Sequence, residues 1–184
     1  MSLTVRTTAI DGVRLIEPKV FGDARGFFFE LWHAERYAGF DLPSHFVQDN
    51  VSLSRRGVLR GLHVQHPNPQ GKLVQVLDGE VFDVAVDVRI GSATFGQWVG
   101  YHLSAGNHRQ LYIPPGIAHG FCVLSDSALL TYKCTDFYRP DTELTIAWDD
   151  PDIGIEWPIS EPILSQKDTG ARRLRELREL LPTP

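Results

Sequence analysis

Apolar and polar positions alternate in short runs along most of this chain, and turn residues separate the runs. The pattern predicts strands at Val13–Phe21, Gly26–Trp32, Phe46–Ser54, Val58–Gln65, Lys72–Leu77, Glu80–Arg89, Gly96–Leu103, Gln110–Ile113, Gly120–Leu124 and Ala128–Phe137. Within Glu80–Val88, Val81, Asp83, Ala85 and Asp87 share one face, while Phe82, Val84, Val86 and Val88 share the other, which reads as core. Asp78-Gly79 between β-rich runs is a hairpin signal. Helix is scarce. His33–Phe40 suits a short one, and Ala171–Leu181 suits a terminal one with Leu174, Leu177 and Leu181 on a single stripe. Evenly spaced strands without repeat, low-complexity tract or linker predict one all-β domain over residues 1–184, as a sandwich, jelly roll or barrel.

Composition narrows the possible partners. A chain of 184 residues can bury a full core without metal or disulfide staples. Its formal net charge of −5 argues against a general nucleic-acid or anionic-membrane binder. No apolar run approaches the ~18 residues of a membrane span, and no basic-then-apolar leader opens the chain, so a cytoplasmic protein is expected. The two cysteines, Cys122 and Cys134, sit in apolar strand-like stretches without CxxC spacing and read as buried thiols.

The segment Leu59-Arg60-Gly61-Leu62-His63-Val64-Gln65, followed by Gln70-Gly71-Lys72-Leu73-Val74, puts an imidazole and an ammonium on what read as adjacent antiparallel strands. A base beside a cation is what proton abstraction next to a carbonyl requires, because the cation holds the charge that moves onto oxygen. A half-buried strand with one polar side chain would look the same. A regular pleat separates Arg60 from His63 onto opposite faces, and a bulge at Gly61 would bring both into one pocket. His33, His45, His102 and His108 stand singly among polar or turn residues and read as surface. His119 differs: Pro114-Pro115-Gly116-Ile117-Ala118-His119-Gly120 is a turn that delivers an imidazole to a strand. It resembles the second motif of the cupin barrels. The first cupin motif would supply paired histidines and a glutamate, whereas here the segment reads His63-Val64-Gln65. With too few ligands converging, a cupin pocket without metal is expected. Its interior polar candidates are Arg60, His63, Lys72, Asp83, His119 and Tyr132.

Longer matches carry a more specific resemblance. Arg25-Gly26-Phe27-Phe28-Phe29-Glu30, Phe46-Val47-Gln48-Asp49-Asn50, Val58-Leu59-Arg60-Gly61-Leu62-His63, Gln70-Gly71-Lys72, Ala93-Thr94-Phe95-Gly96-Gln97-Trp98, Ala118-His119-Gly120-Phe121, Tyr132-Lys133 and Ser165-Gln166-Lys167-Asp168 occur in the family's order. Together they make the chain resemble the dTDP-4-dehydrorhamnose 3,5-epimerase family. The resemblance implies a cupin-type double-stranded β-helix, a jelly-roll barrel, here with a short C-terminal helix. It implies a cofactor-independent isomerase that inverts C3 and C5 of dTDP-4-dehydro-6-deoxy-D-glucose. In that reading His63 is the base, Asp168 its carboxylate partner, Lys72 the cation beside the enolate and Tyr132 the opposite-face acid. Arg25, Arg60 and Lys167 match pyrophosphate contacts, and Glu30, Gln48, Asp49 and Asn50 match nucleoside and sugar contacts. Tyr138 matches an aromatic stacked on the base, and His119 and Glu143 complete the contact set. A homodimer is implied too, with the Phe-rich strand Gly26–Trp32 crossing so that Arg25 and Glu30 act in the neighbour's pocket. An epimerase of one centre, a non-catalytic nucleotide-sugar-binding cupin and a metal-dependent cupin oxygenase are the competing expectations. Ser127–Thr131 and the turn His66-Pro67-Asn68-Pro69 depart from the family pattern without removing an assigned residue.

Overall fold

The computed structural model describes residues 3–183. Strands β1 (Leu3–Thr7), β2 (Arg14–Pro18), β5 (Gln48–Arg55), β7 (Lys72–Asp78), β10 (Gln110–Ile113) and β12 (Ser127–Cys134) form an antiparallel sheet in the order β1-β2-β10-β7-β12-β5. A second antiparallel sheet has the order β13-β6-β11-β8-β9, from β6 (Leu59–Gln65), β8 (Glu80–Asp87), β9 (Trp98–Ser104), β11 (Ile117–Val123) and β13 (Glu143–Thr145). The two sheets face each other as a jelly-roll barrel. A small ribbon, β3 (Phe21–Asp23) with β4 (Gly26–Phe28), stands apart from both.

One core fills the barrel, built from Val74, Val76, Val81, Ala85, Leu103, Leu111, Phe121 and Leu130 among others. A second lies against the outer face of the β6–β11–β8 sheet, where Leu62, Val64, Val84 and Val86 meet Ile146, Leu174, Leu177 and Leu181. The face of β8 expected to be core is a core face. Its Phe82–Val84–Val86 face is buried, but under the C-terminal segment, and the barrel interior belongs to Val81, Asp83 and Ala85. Alternation alone did not show that the opposite face of β8 is a core face as well, because the strand is buried on both sides.

Three local expectations change. The strand predicted at Gly26–Trp32 is regular only over Gly26–Phe28. Asp78-Gly79 does turn the chain sharply, with Gly79 at φ +77°, but β7 and β8 enter different sheets. The turn is a barrel corner, held where Glu80 N donates to Ser125 Oγ at 2.7 Å. The C-terminal stretch is not an α-helix. It makes two 3₁₀ turns, Leu174–Glu176 and Leu177-capped Arg178–Leu180. Leu174 and Leu177, three residues apart, share a face in either kind of turn, and Leu181, the C-cap of the second turn, is buried with them. The short helix α1 (Ala34–Ala38) falls within His33–Phe40 as expected, and α2 (Gln166–Thr169) was not anticipated. No helix among the described residues is long and apolar enough to cross a membrane.

Candidate active site

Between the sheets, at one end of the barrel, lies a cavity of about 530 Å³. The strands β6 and β7, expected to be neighbours, instead lie in facing sheets, so His63 and Lys72 enter this cavity from opposite walls. Tyr132 joins Lys72 on its wall, because β12 pairs with β7 in a register that sets Tyr132 opposite Val74 and Cys134 opposite Lys72. An imidazole on one side and a phenol with an ammonium on the other therefore bracket the space between them.

The expected bulge is present on β6. His63 pairs with His119 and Arg60 with Phe121, so three residue steps on β6 match two on β11. Gly61 makes this possible at φ +117°, with a backbone so close to β11 that a Cβ would lie 2.6 Å from Gly120 Cα and His119 O. The bulge brings both Arg60 and His63 to the cavity, and Arg60 Nε donates to Ser54 Oγ at 3.1 Å.

His63 Nε2 bonds Asp168 Oδ1 at 2.7 Å, and its Nδ1 lies 3.8 Å from Glu143 Oε1. Burial pushes the Asp168 carboxyl up, but hydrogen bonds from His63 and Ser165 outweigh it and hold the group below the ordinary carboxylate range. Glu143 is lowered likewise: its burial is outweighed by Lys167 Nζ at 2.6 Å, the nearby imidazole and the Tyr138 hydroxyl at 3.0 Å. A second pair, buried deeper, joins His119 Nε2 to both oxygens of Asp83 at 3.0 Å. Lys72 sits where burial pulls its ammonium below the ordinary lysine range, against the nearby Cys134, Glu143 and Asp83. Burial above all raises the Tyr132 phenol, leaving it a proton donor at neutral pH.

Gln48, Asn50, Arg60, His63, Lys72, His119, Tyr132, Tyr138, Glu143 and Lys167 all line this one cavity, and Asp168 stands directly behind His63. Three expected contacts lie elsewhere. Asp49 points outward between the inward Gln48 and Asn50, as strand alternation requires, and pairs with Lys133 at 2.8 Å. Arg25 is an exposed side chain on the β3–β4 ribbon, bonded to Asp23, and Glu30 pairs with Arg36. Sequence reasoning missed Ser52, Gln70 and Phe121 on the cavity wall. Carrying the alternation of Gln48 and Asn50 one step further would have found Ser52. Among the described residues, no group of three or more His, Cys, Asp or Glu side chains is arranged to hold a metal ion.

A jelly-roll barrel whose pocket sets a carboxylate-backed imidazole against a phenol and a buried amine is equipped to move protons at carbon. The profile of the dTDP-4-dehydrorhamnose 3,5-epimerase family matches residues 7–176, and the chain belongs to that family. It is 57% identical over 162 residues to the dTDP-4-dehydrorhamnose 3,5-epimerase of Pseudomonas aeruginosa, covering 87% of this chain and 90% of that protein. The crystal structure of the Legionella pneumophila dTDP-6-deoxy-D-glucose-3,5-epimerase, in complex with dTDP-4-keto-L-rhamnose, superposes with a TM-score of 0.96 at 53% identity, over 100% of this chain and 99% of that one. The chain is also 42% identical over 185 aligned positions to the dTDP-4-dehydrorhamnose 3-epimerase of Streptomyces niveus, covering 98% and 89% of the two chains.

Proposed function

We propose that this protein inverts C3 and C5 of dTDP-4-dehydro-6-deoxy-D-glucose to give dTDP-4-dehydro-L-rhamnose. The observation that carries the reading is the pairing of His63 on one wall with Tyr132 and Lys72 on the other, around a single cavity. A sugar lying between the sheets meets a base on one face and an acid on the opposite face. Inversion needs this, because a lone group on one face would return the proton where it was taken.

The C4 ketone acidifies the neighbouring C–H bonds. His63 takes the proton, Asp168 steadies the ring and the charge it acquires, and Lys72 holds the negative charge that develops on the ketone oxygen. Tyr132 then delivers its hydroxyl proton to the other face of the carbon, and solvent restores both groups. Arg60 and Lys167 suit the diphosphate, Tyr138 a stacked thymine, and Gln48, Asn50, His119 and Glu143 the polar edges of nucleoside and sugar. Asp49 would act through its backbone or not at all. In this reading the working form is a cytoplasmic homodimer, with Arg25 on the β3–β4 ribbon and Glu30 just beyond it reaching the neighbouring pocket. Support comes from Phe27 and Phe28 on that ribbon, 63% and 58% exposed, an apolar edge that calls for a partner.

Proton NMR of the substrate with enzyme in D₂O tests the reaction. Deuterium entering at both C3 and C5 supports double inversion. Entry at one carbon selects a single-centre epimerase, the reading that the Streptomyces niveus relative favours. His63→Ala should abolish exchange at both carbons while dTDP still binds, and near-normal exchange in that variant would remove His63 as the base.

A further inference from the structure

We propose that Ser165 is a positioning residue of this site: its hydroxyl fixes the Asp168 carboxylate, which in turn fixes the His63 imidazole. The inference rests on the reading of His63 as the base. Asp168 comes from the least regular part of the chain. Backbone bonds from Ile163 to Gly57 and Leu59, and from Arg172 to Thr145 and Ala147, tie this segment to the barrel on either side of α2, but between β13 and α2 no regular strand or long helix sets the plane of the carboxylate itself. The constraint is local. Ser165 stands at the N-cap of α2 in extended backbone (φ −75°, ψ 163°), and its Oγ accepts from the Asp168 backbone N–H at 3.1 Å. The same hydroxyl donates to Asp168 Oδ2 at 2.7 Å, while Oδ1 takes His63 at 2.7 Å.

Each carboxylate oxygen thus has its own donor. Turning the carboxyl group about its axis would break both bonds at once, so the plane of Asp168 and the aim of the imidazole are set together. Among the described residues, no other side chain or backbone N–H donates to Oδ2. Behind Asp168 lies a separate cavity of about 270 Å³, bordered by Leu164, Thr169, Ala171 and Arg173. Without the hydroxyl, water entering from this side would solvate Oδ2, and water leaves the carboxylate free to turn. A graded loss of catalysis follows, rather than loss of substrate binding, because Ser165 does not border the substrate cavity.

Two replacements separate positioning from helix capping. Glycine is a nearly adequate N-cap but has no hydroxyl, whereas threonine keeps both functions. Ser165→Gly should lower kcat on the order of tenfold with dTDP affinity unchanged, and move the acidic limb of the kcat/KM profile to higher pH. Ser165→Thr should restore both. The His63 Nε2–H resonance, followed by NMR without substrate, should broaden or shift in Ser165→Gly and recover in Ser165→Thr. If Ser165→Gly kept the wild-type kcat, pH profile and imidazole resonance, Ser165 would have no positioning role. Wild-type protein that fails to exchange the substrate's C–H protons would instead overturn the epimerase reading, and the NMR comparison would still judge Ser165.

Discussion

Tyr132 and His63 make separable demands at the scale of single residues. Burial raises the Tyr132 phenol, which suits it to donate rather than to abstract. Tyr132→Phe removes the donated proton and keeps the ring in the wall. The variant should still exchange substrate protons through His63, yet form inverted product roughly 10²–10⁴-fold more slowly. NMR of exchange against product formation would show the split, and equal loss of both would return Tyr132 to a packing role. His63 and Lys72 were legible as candidates because an imidazole and an ammonium stand on strand-like segments just after Gly61 and Gly71, whereas the role of Tyr132, an ordinary strand residue, came only from the family resemblance. The directions of side chains were less legible. Asp49 was grouped with Gln48 and Asn50 by resemblance, although alternation alone turns it outward to Lys133. Ser165 lay in plain view beside Asp168, but a capping hydroxyl shows its second bond, to the carboxylate, only once the turn is folded.

Two elements can be tested through stability, and the first sets the site's geometry. The β6 bulge depends on Gly61, where positive φ and a 2.6 Å approach to β11 both exclude a side chain. Gly61→Ala should cost about 3 kcal/mol or more, at the upper end for a single substitution, as measured by urea unfolding. The turn after β8 depends on Asp87, fully buried and accepting from Arg89 Nε at 2.9 Å, Ser92 Oγ at 2.5 Å and Thr94 Oγ1 at 2.6 Å. Burial alone would raise this carboxyl, but those donors outweigh it and hold it at about 2, below its ordinary 3.8. A carboxyl lowered on folding stabilises the protein above its unfolded value and loses that effect as pH falls through the folded one. Wild type should therefore exceed Asp87→Asn by about 2 kcal/mol at neutral pH, and the gap should close between pH 3.8 and about 2. A constant gap in urea titrations across that range would dismiss the carboxylate's contribution. Strand positions were legible from alternation for ten of the thirteen strands, while β1 and the three-residue β3 and β13 were missed. Sheet membership was not, because a tight Asp-Gly turn looks the same within a hairpin and at a barrel corner.

At the scale of the whole molecule, the β3–β4 ribbon is the part that the barrel leaves unexplained. It pairs with neither sheet, carries exposed Phe27 and Phe28, and holds Arg25 away from the cavity of its own chain. A dimer in which the ribbon reaches a neighbour would give these residues a use, and a mixing experiment decides where Arg25 acts. His63→Ala lacks the base and Arg25→Ala lacks the ribbon guanidinium, so each is impaired alone. If Arg25 serves the partner's pocket, a mixed dimer concentrates both defects in one pocket. The other pocket then combines an intact His63 with an intact Arg25. Equal mixing with free exchange of subunits makes half the dimers mixed, so roughly a quarter of all pockets should regain wild-type turnover. If Arg25 serves its own chain, every pocket in the mixed dimer carries one defect. Activity of the mixture would then equal the average of the two variants, and the crossing ribbon would be excluded.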